Sequence, residues 1–347
     1  MVRRTEQRIG GAERRPAPRH RTPATGGAAA YVRLAKLDVP DYYIGILLVW
    51  TLLAVQWAGP DEPGTGAFGA AGLGAAGFGA ATHLMLLVFL VGEVCVLAAM
   101  VALDDLTGFL DGSDGTNYGP DAPARRLARK PLVAGTITPP AAKRFAEVTA
   151  TAGAALWTLS VLLAPRPAGW AVLVTAVTFV LALQYSWGVK LSYRGFQEVF
   201  LAVLGWALVL APFGLAGGDV TGFVVVQALL FGLGPLLFGV YSNTNDVAGD
   251  RAVRRPTVAA LTTARGNAVF IAVLSLAEAA LIWGAALAGV APWWFLPAML
   301  PTVALRAVQL DLGFRRGDIL GARKLGMWVH RLTVALLIAL NLMVAFG

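Results

Sequence analysis

Charge is scarce in this sequence: only 14% of its 347 residues are Asp, Glu, Lys or Arg, while 57% are hydrophobic. Soluble globular domains carry about 25% charged residues, so that class is excluded and an integral membrane protein is implied. A single cysteine, Cys95, excludes an internal disulfide and says nothing about redox compartment. Of three histidines, His83 and His330 fall near opposite membrane surfaces without metal-ligand spacing, and interfacial or packing roles are expected of them. Short alternating strands are also missing. The apolar runs are too long and continuous for the roughly ten-residue strands of a barrel, and in lipid their backbone groups have to be satisfied within helices. No apolar core follows the first charges within reach, so no signal peptide is expected.

What the sequence does have is hydrocarbon in repeated blocks. Nine runs are long enough to approach the ~20 residues that cross a ~30 Å hydrocarbon layer. Their expected spans are 38–58, 83–103, 142–164, 168–187, 197–216, 221–241, 267–289, 291–308 and 326–346. The expected fold class is therefore all-α, a polytopic membrane protein with about nine transmembrane helices bundled around a central cavity. Residues 1–33, rich in Arg, Pro, Gly and Ala without apolar period, are expected to form a disordered basic tail, with one transmembrane domain over 34–347. The Gly- and Ala-rich segment 59–81 is expected to be a loosely ordered loop.

The basic residues set the expected orientation. Of the 28 Lys and Arg, all but Arg166 fall in connections on one face, counting Arg306 with the eighth-to-ninth connection. Cytoplasmic loops retain Lys and Arg, so that face and the N-terminus are expected inside the cell inner membrane and the C-terminus outside. The net charge of +8 then reflects topology and attraction to anionic lipid, with no nucleic-acid partner implied.

Two connections on the basic face concentrate aspartate. The first, "ALDDLTGFLDGSDG", holds Asp104, Asp105, Asp111 and Asp114; the second, "YSNTNDVAGDRAVRRPTVA", holds Asp246 and Asp250. Asp246 and Asp250 lie four apart, which on a continuing helix sets both on one face with Cβ atoms about 5 to 6 Å apart. Asp104 and Asp111, seven apart, share a face if the second helix runs past the membrane boundary. Clustered carboxylates repel and raise one another's pKa unless a cation neutralises them. Mg²⁺ suits such oxygen ligands and commonly bridges them to phosphate. Basic side chains follow each cluster, in "RRLARKPLVAGTIT" and "DRAVRRPTVA", as a diphosphate requires. An acidic loop without ligand, with basic residues serving topology alone, is the alternative.

These stretches resemble the UbiA superfamily of intramembrane prenyltransferases, the menaquinone-type branch above all. The motif N-D-x-x-D-x-x-x-G-x-D appears as "DDLTGFLDGSD", with Asp105, Gly112 and Asp114 matching, Asp104 in place of the Asn and Gly108 in place of the middle Asp. R-P-L-x-x-G-x-I appears as "KPLVAGTI". The second motif appears as "SNTNDVAGDRAVRRPTV", with Asn243, Asp246, Asp250, Arg251, Arg255 and Thr257. "YSWGVKLSYRGFQEVF" resembles a further segment through Tyr185, Lys190, Tyr193, Arg194 and Glu198. Asp111 stands near the position that Gly108 leaves without a carboxylate.

The resemblance implies a Mg²⁺-dependent prenyltransferase acting on an isoprenyl diphosphate and a small aromatic or quinone-precursor acceptor. Its metal ligands would be Asp104, Asp105, Asp111, Asp114, Asp246 and Asp250. Diphosphate would meet Arg126, Lys130, Lys190, Tyr193, Arg194, Asn243, Arg251 and Arg255, with Asp105, Lys190 and Arg194 as catalytic groups. A cavity to shelter the carbocation would draw on Phe109, Tyr185, Trp206 and Tyr241, together with Glu93, whose carboxyl either meets an acceptor or is satisfied by a neighbouring helix. Glu278 is expected to be structural. Two other functions stand beside this one: a membrane terpene cyclase, which needs no acceptor, and a transporter, against which the absence of broken helix pairs argues.

Overall fold

The computed structural model describes residues 27–58, 79–119 and 127–346. Expectations for residues 1–26, for most of the 59–81 segment and for Arg126 fall outside the described residues. Every regular element among the described residues is helical. Nine of these helices coincide with the expected apolar runs: α1 (Gly45–Trp57), α2 (Ala80–Leu110), α3 (Pro139–Leu163), α4 (Gly169–Leu183), α5 (Gln197–Leu215), α6 (Gly222–Asn245), α7 (Ala264–Leu287), α8 (Phe295–Leu310) and α9 (Ile319–Phe346). Seven are long and apolar enough to cross a membrane, α8 when counted with its continuation to Arg315; α1 and α4, of 13 and 15 residues, are shorter.

Threonine hydroxyls start several of these helices by accepting from free first-turn N–H groups. Thr138 caps α3 through Ala141 N, Thr221 caps α6 through Val224 N, and Thr263 caps α7 through Gly266 N. Inside the bundle, side chains anchor to neighbouring backbones. The Trp157 ring stacks on Phe89 at 5.1 Å and its Nε1 donates to the Phe89 carbonyl at 3.1 Å, while Ser160 donates to the Met85 carbonyl, fastening α3 to α2. α5 and α6 approach more closely still. A Cβ at Gly205 would lie 2.7 Å from the Gly232 Cα, and one at Gly232 would strike the Ala202 carbonyl oxygen. Small residues permit such backbone contact between membrane helices.

Two expectations change. Ala28–Leu34, which includes the end of the expected disordered tail, is helical, with Ala30 and Leu34 buried against Leu103, Leu106 and Ala142. Two apolar residues one turn apart suffice to dock it. Arg306, counted above with a basic connection, is instead 2% exposed within α8 and grips Glu278 of α7. Its Nε donates to Oε2 at 2.7 Å and its second terminal nitrogen to Oε1 at 3.0 Å. A forked pair with Gln309 beside it lets both charges sit in the interior, and it gives Glu278 the structural role expected. His330 is fully buried on α9, its Nε2 2.8 Å from the Asp41 carbonyl oxygen, and Arg331 makes a two-point contact with the Asp41 carboxylate.

Candidate active site

Both aspartate-bearing connections lie at one end of the bundle and face a cavity of about 760 Å³. α2 continues through Leu110, so Asp104 and Asp105 still lie on helix. Gly112, at φ 86°, then turns the chain into the short helix Ser113–Asn117, and Asp111 accepts from Ser113 N at 2.9 Å to hold the turn. The turn swings Asp114 back towards α2. A Cβ on Gly108 would lie 3.0 Å from the Asp114 Cγ and Oδ2, so the glycine that departs from the motif makes room for that carboxylate.

On the other side, α6 ends at Asn245 and Asp246 interrupts it, at φ −101° and ψ 11°, before the short helix Val247–Ala252. The Asp250 N–H nevertheless donates to the Asp246 carbonyl at 3.0 Å, so the two acids remain one turn apart. Asn117 joins the two connections: its Oδ1 accepts from Gly249 N at 3.0 Å, across 132 residues of sequence. A Cβ on Gly249 would collide with the Asn117 amide.

Of the six expected metal ligands, Asp104, Asp114, Asp246 and Asp250 line the cavity. Asp105 is buried behind them, 1% exposed. Its Oδ1 accepts from Lys130 Nζ at 2.9 Å and lies 3.3 Å from Lys36 Nζ, while its Oδ2 has no partner. Asp111 lies outside the lining, and its second oxygen accepts the Tyr193 hydroxyl. Lys130 bridges the first cluster, reaching Asp114 at 2.8 Å as well as Asp105. Arg255 bridges the second to the first: it donates to Asp104 at 3.1 Å, stacks over Tyr185 and Tyr193, and its backbone N–H donates to the Asp250 carbonyl. Asp104 also accepts the Ser186 hydroxyl at 2.6 Å, and Asp250 the Thr257 hydroxyl at 3.0 Å. Behind Asn243, Gln197 donates to its Oδ1 at 2.6 Å and Glu198 accepts its amide at 3.0 Å.

The electrostatics follow from this crowding. Burial pushes the Asp114 carboxyl up to about 6, assisted by Asp105 and Asp104 and opposed by Lys130. Burial likewise raises Asp250 to about 6, assisted by Asp246 and opposed by Arg255 and the Thr257 hydrogen bond. Burial opposes the Lys130 charge, yet Asp105 and Asp114 hold its pKa above the ordinary lysine value. The charged oxygen donors of the lining are the carboxylates of Asp104, Asp114, Asp246 and Asp250, with no His or Cys in the lining, while the amide oxygens of Asn117 and Asn243 are already accepting from Gly249 N and Gln197. This set, with an orphaned Asp105 oxygen behind it, fits a hard divalent cation in chemistry. Among the described residues no three acidic, Cys or His side chains close on one point as a finished metal site.

The remaining expected residues divide. Asn243 and Tyr185 line the cavity, whereas Lys190 and Arg194 are exposed outside its lining, Lys190 at φ 55° with its ammonium 5.2 Å from the Tyr193 ring. Arg251 donates to the carbonyls of Ala260 and Thr262, bracing its own loop. Phe109 is 36% exposed, Tyr241 is buried against Phe314, and Trp206 packs against the core, all outside the lining. Lys36, Asn117, Tyr118 and Arg323 line the cavity without having been expected, and Ser186, also unexpected, holds Asp104. No spacing rule ties them to the acidic clusters.

A model of the UbiA prenyltransferase family matches residues 65–344. The chain belongs to this family. As a UbiA-family protein it is a membrane prenyltransferase. Its fold is similar to that of a UbiA homologue from Archaeoglobus fulgidus bound to DMAPP and Mg²⁺, at 15% identity and a TM-score of 0.59, covering 91% of this chain and 99% of that one. It is also similar to the apo structure of a UbiA homologue from Aeropyrum pernix K1 (15% identity, TM-score 0.58, 87% and 98% covered) and to a digeranylgeranylglyceryl phosphate synthase (15%, 0.56, 91% and 98%). No curated protein matches the sequence.

Proposed function

We propose that this UbiA-family protein transfers the prenyl group of an isoprenyl diphosphate to a small aromatic or quinone-precursor acceptor inside the membrane, with Mg²⁺ as cofactor. The observation that carries the reading is the Asn117–Gly249 bond, which holds two acidic connections over a cavity whose deeper wall is apolar. DMAPP and Mg²⁺ in the Archaeoglobus relative support both substrate class and metal.

Asp104, Asp114, Asp246 and Asp250 would hold Mg²⁺, with Asp105 reinforcing them from behind. The metal would supply charge neutralisation for the diphosphate. Lys130, between Asp105 and Asp114, and Arg255, paired with Asp104, turn their donors to the diphosphate oxygens as the C–O bond ionises and the leaving group takes the electron pair. Lys190, Arg194 and Arg251, outside the cavity lining, add longer-range attraction for the anion. Asn243, held by Gln197 and Glu198, lines the cavity beside these groups. Leu97, Met100, Val101, Leu201 and Phe238 keep water from the allylic cation, and the Tyr185 ring offers it a π face worth about 0.5 to 2 kcal/mol. An electron pair of the acceptor then closes the new bond, and the acceptor loses a proton. The site is assigned to the cytoplasmic side of a cell inner membrane, with the C-terminus outside.

The test uses detergent-solubilised protein with Mg²⁺ and labelled geranyl, farnesyl or geranylgeranyl diphosphate, with and without a phenolic acceptor. Diphosphate release that requires Mg²⁺ and is abolished by Asp105→Ala and by Asp246→Ala is expected, and undiminished release by either variant would sink the site. A cyclic hydrocarbon or alcohol formed without acceptor would replace the transferase reading with a cyclase.

A further inference from the structure

One carboxyl deep in the bundle is not engaged by the diphosphate chemistry. Glu93 on α2 is 1% exposed and its Oε1 is buried without a hydrogen-bond partner. The contrast with Glu278, gripped at two points by Arg306, is direct. Buried polar atoms without partners are rare and costly, and they call for a specific reason.

Its position supplies one. Leu97, Met100, Val101 and Asp104 line the cavity from α2. Glu93 is itself outside the lining, four residues before Leu97 and seven before Met100 on the same stripe, one turn beyond the lined wall. Tyr43, just before α1, lines the cavity. Eleven residues of helix separate Glu93 from Asp104, about 16 Å along the axis. Packing alone would be served as well by Leu or Met, and a prenyl chain gains nothing from a carboxyl. A ligand with an O–H donor does.

We propose that Glu93 is the recognition residue for the second substrate, accepting a hydrogen bond from a hydroxyl of a phenolic acceptor at the inner end of the cavity. This rests on the transferase reading above. The acceptor would then span from Glu93 towards the reacting carbon, leaving the α5 and α6 wall, with Leu201 and Phe238, for the hydrocarbon chain. Glu93 acts by fixing which end of the acceptor faces the cation, and it takes no part in releasing diphosphate.

Wild type, E93Q and E93L are compared with Mg²⁺, geranyl diphosphate and a panel of mono- and dihydroxylated benzenes and naphthalenes, each beside its methyl ether. E93L is expected to raise the KM for the preferred phenol at least tenfold, leaving acceptor-independent diphosphate release and the KM for geranyl diphosphate unchanged. E93Q, which keeps an acceptor oxygen, should recover most of the loss, and methyl ethers should not distinguish the variants. The same phenol should raise the melting temperature of wild type and not that of E93L, a readout independent of turnover. An unchanged phenol KM in E93L overturns the proposal, as does an equal change in the KM for geranyl diphosphate. Wild-type protein neither turning over nor stabilised by any panel member also overturns it. Because Mg²⁺-dependent diphosphate release is scored separately, loss of the Glu93 role is distinguishable from failure of the transferase reading.

Discussion

Substituting Gly249 by alanine tests whether the two acidic connections act as one site. The new Cβ would lie 2.4 Å from the Asn117 Nδ2 and 2.7 Å from its Cγ and Oδ1, where ordinary contact begins at 3.4 Å, so the loops must separate by roughly 1 Å or the Asn117 side chain must rotate away. Either response stretches or breaks the 3.0 Å bond from Gly249 N, worth about 1 kcal/mol. Separation also moves Asp250 relative to Asp114, and misplacing reacting groups by about 1 Å costs up to ~10²-fold. We expect kcat/KM for Mg²⁺-dependent diphosphate release to fall about 10- to 100-fold, or ~1.4 to 2.7 kcal/mol. Asn117→Ala alone loses the bond without the clash and should cost about fivefold. The double variant should resemble Asn117→Ala, because removing the amide removes what the new methyl strikes. Such non-additivity is the signature of direct contact. Wild-type release by Gly249→Ala, or strictly additive effects in well-folded protein, would refute the reasoning.

Mg²⁺ binding should weaken as pH falls through about 6, because Asp114 and Asp250 bind protons up to that value. Titration calorimetry at pH 5.5 should show weaker binding and more protons released than at pH 7.5, and a pH-independent affinity would contradict the carboxylate assignment. Without metal the same two groups, raised above their unfolded values, favour the folded state below about pH 4, and this contribution is lost as pH rises to about 6. In the interior, Arg306→Met leaves Glu278 unpaired and should cost about 3 to 5 kcal/mol, whereas Glu278→Gln combined with Arg306→Met should recover much of it. Melting temperatures of the single and double variants decide this.

The apolar runs were legible because hydrocarbon thickness imposes a length; most helix ends fall within about four residues of the expected spans, while the start of α1, the end of α2 and the start of α9 are each displaced by seven. Asp104, Asp114, Asp246 and Asp250 were legible because clustered charge at a membrane helix end is conspicuous. What sequence spacing could not convey is how side chains are shared across long separations. Ser186 reaches Asp104 from 82 residues away, and Asn117 reaches Gly249 from 132. Nor could it tell that Asp111 is occupied in a turn and by Tyr193, or that Lys130 spans two carboxylates. Lys190 and Arg194 left the cavity because the left-handed backbone at Lys190 redirects the chain into the one-turn helix Leu191–Arg194. Arg306 misled for a different reason. Counting basic residues assumes that each is at the surface, and a buried forked pair is the exception that counting cannot detect.

The backbone contact of Gly205 with Gly232 bears on how the site is held. The second acidic connection is mounted on α6, and at Gly205 and Gly232 the backbones of α5 and α6 meet with no side chain between them. That half of the site is an anvil. Its other half reaches that fixed mount through the Gly249–Asn117 hydrogen bond and the Arg255–Asp104 pair, so the spacing of the two acidic connections depends on polar contacts between short segments.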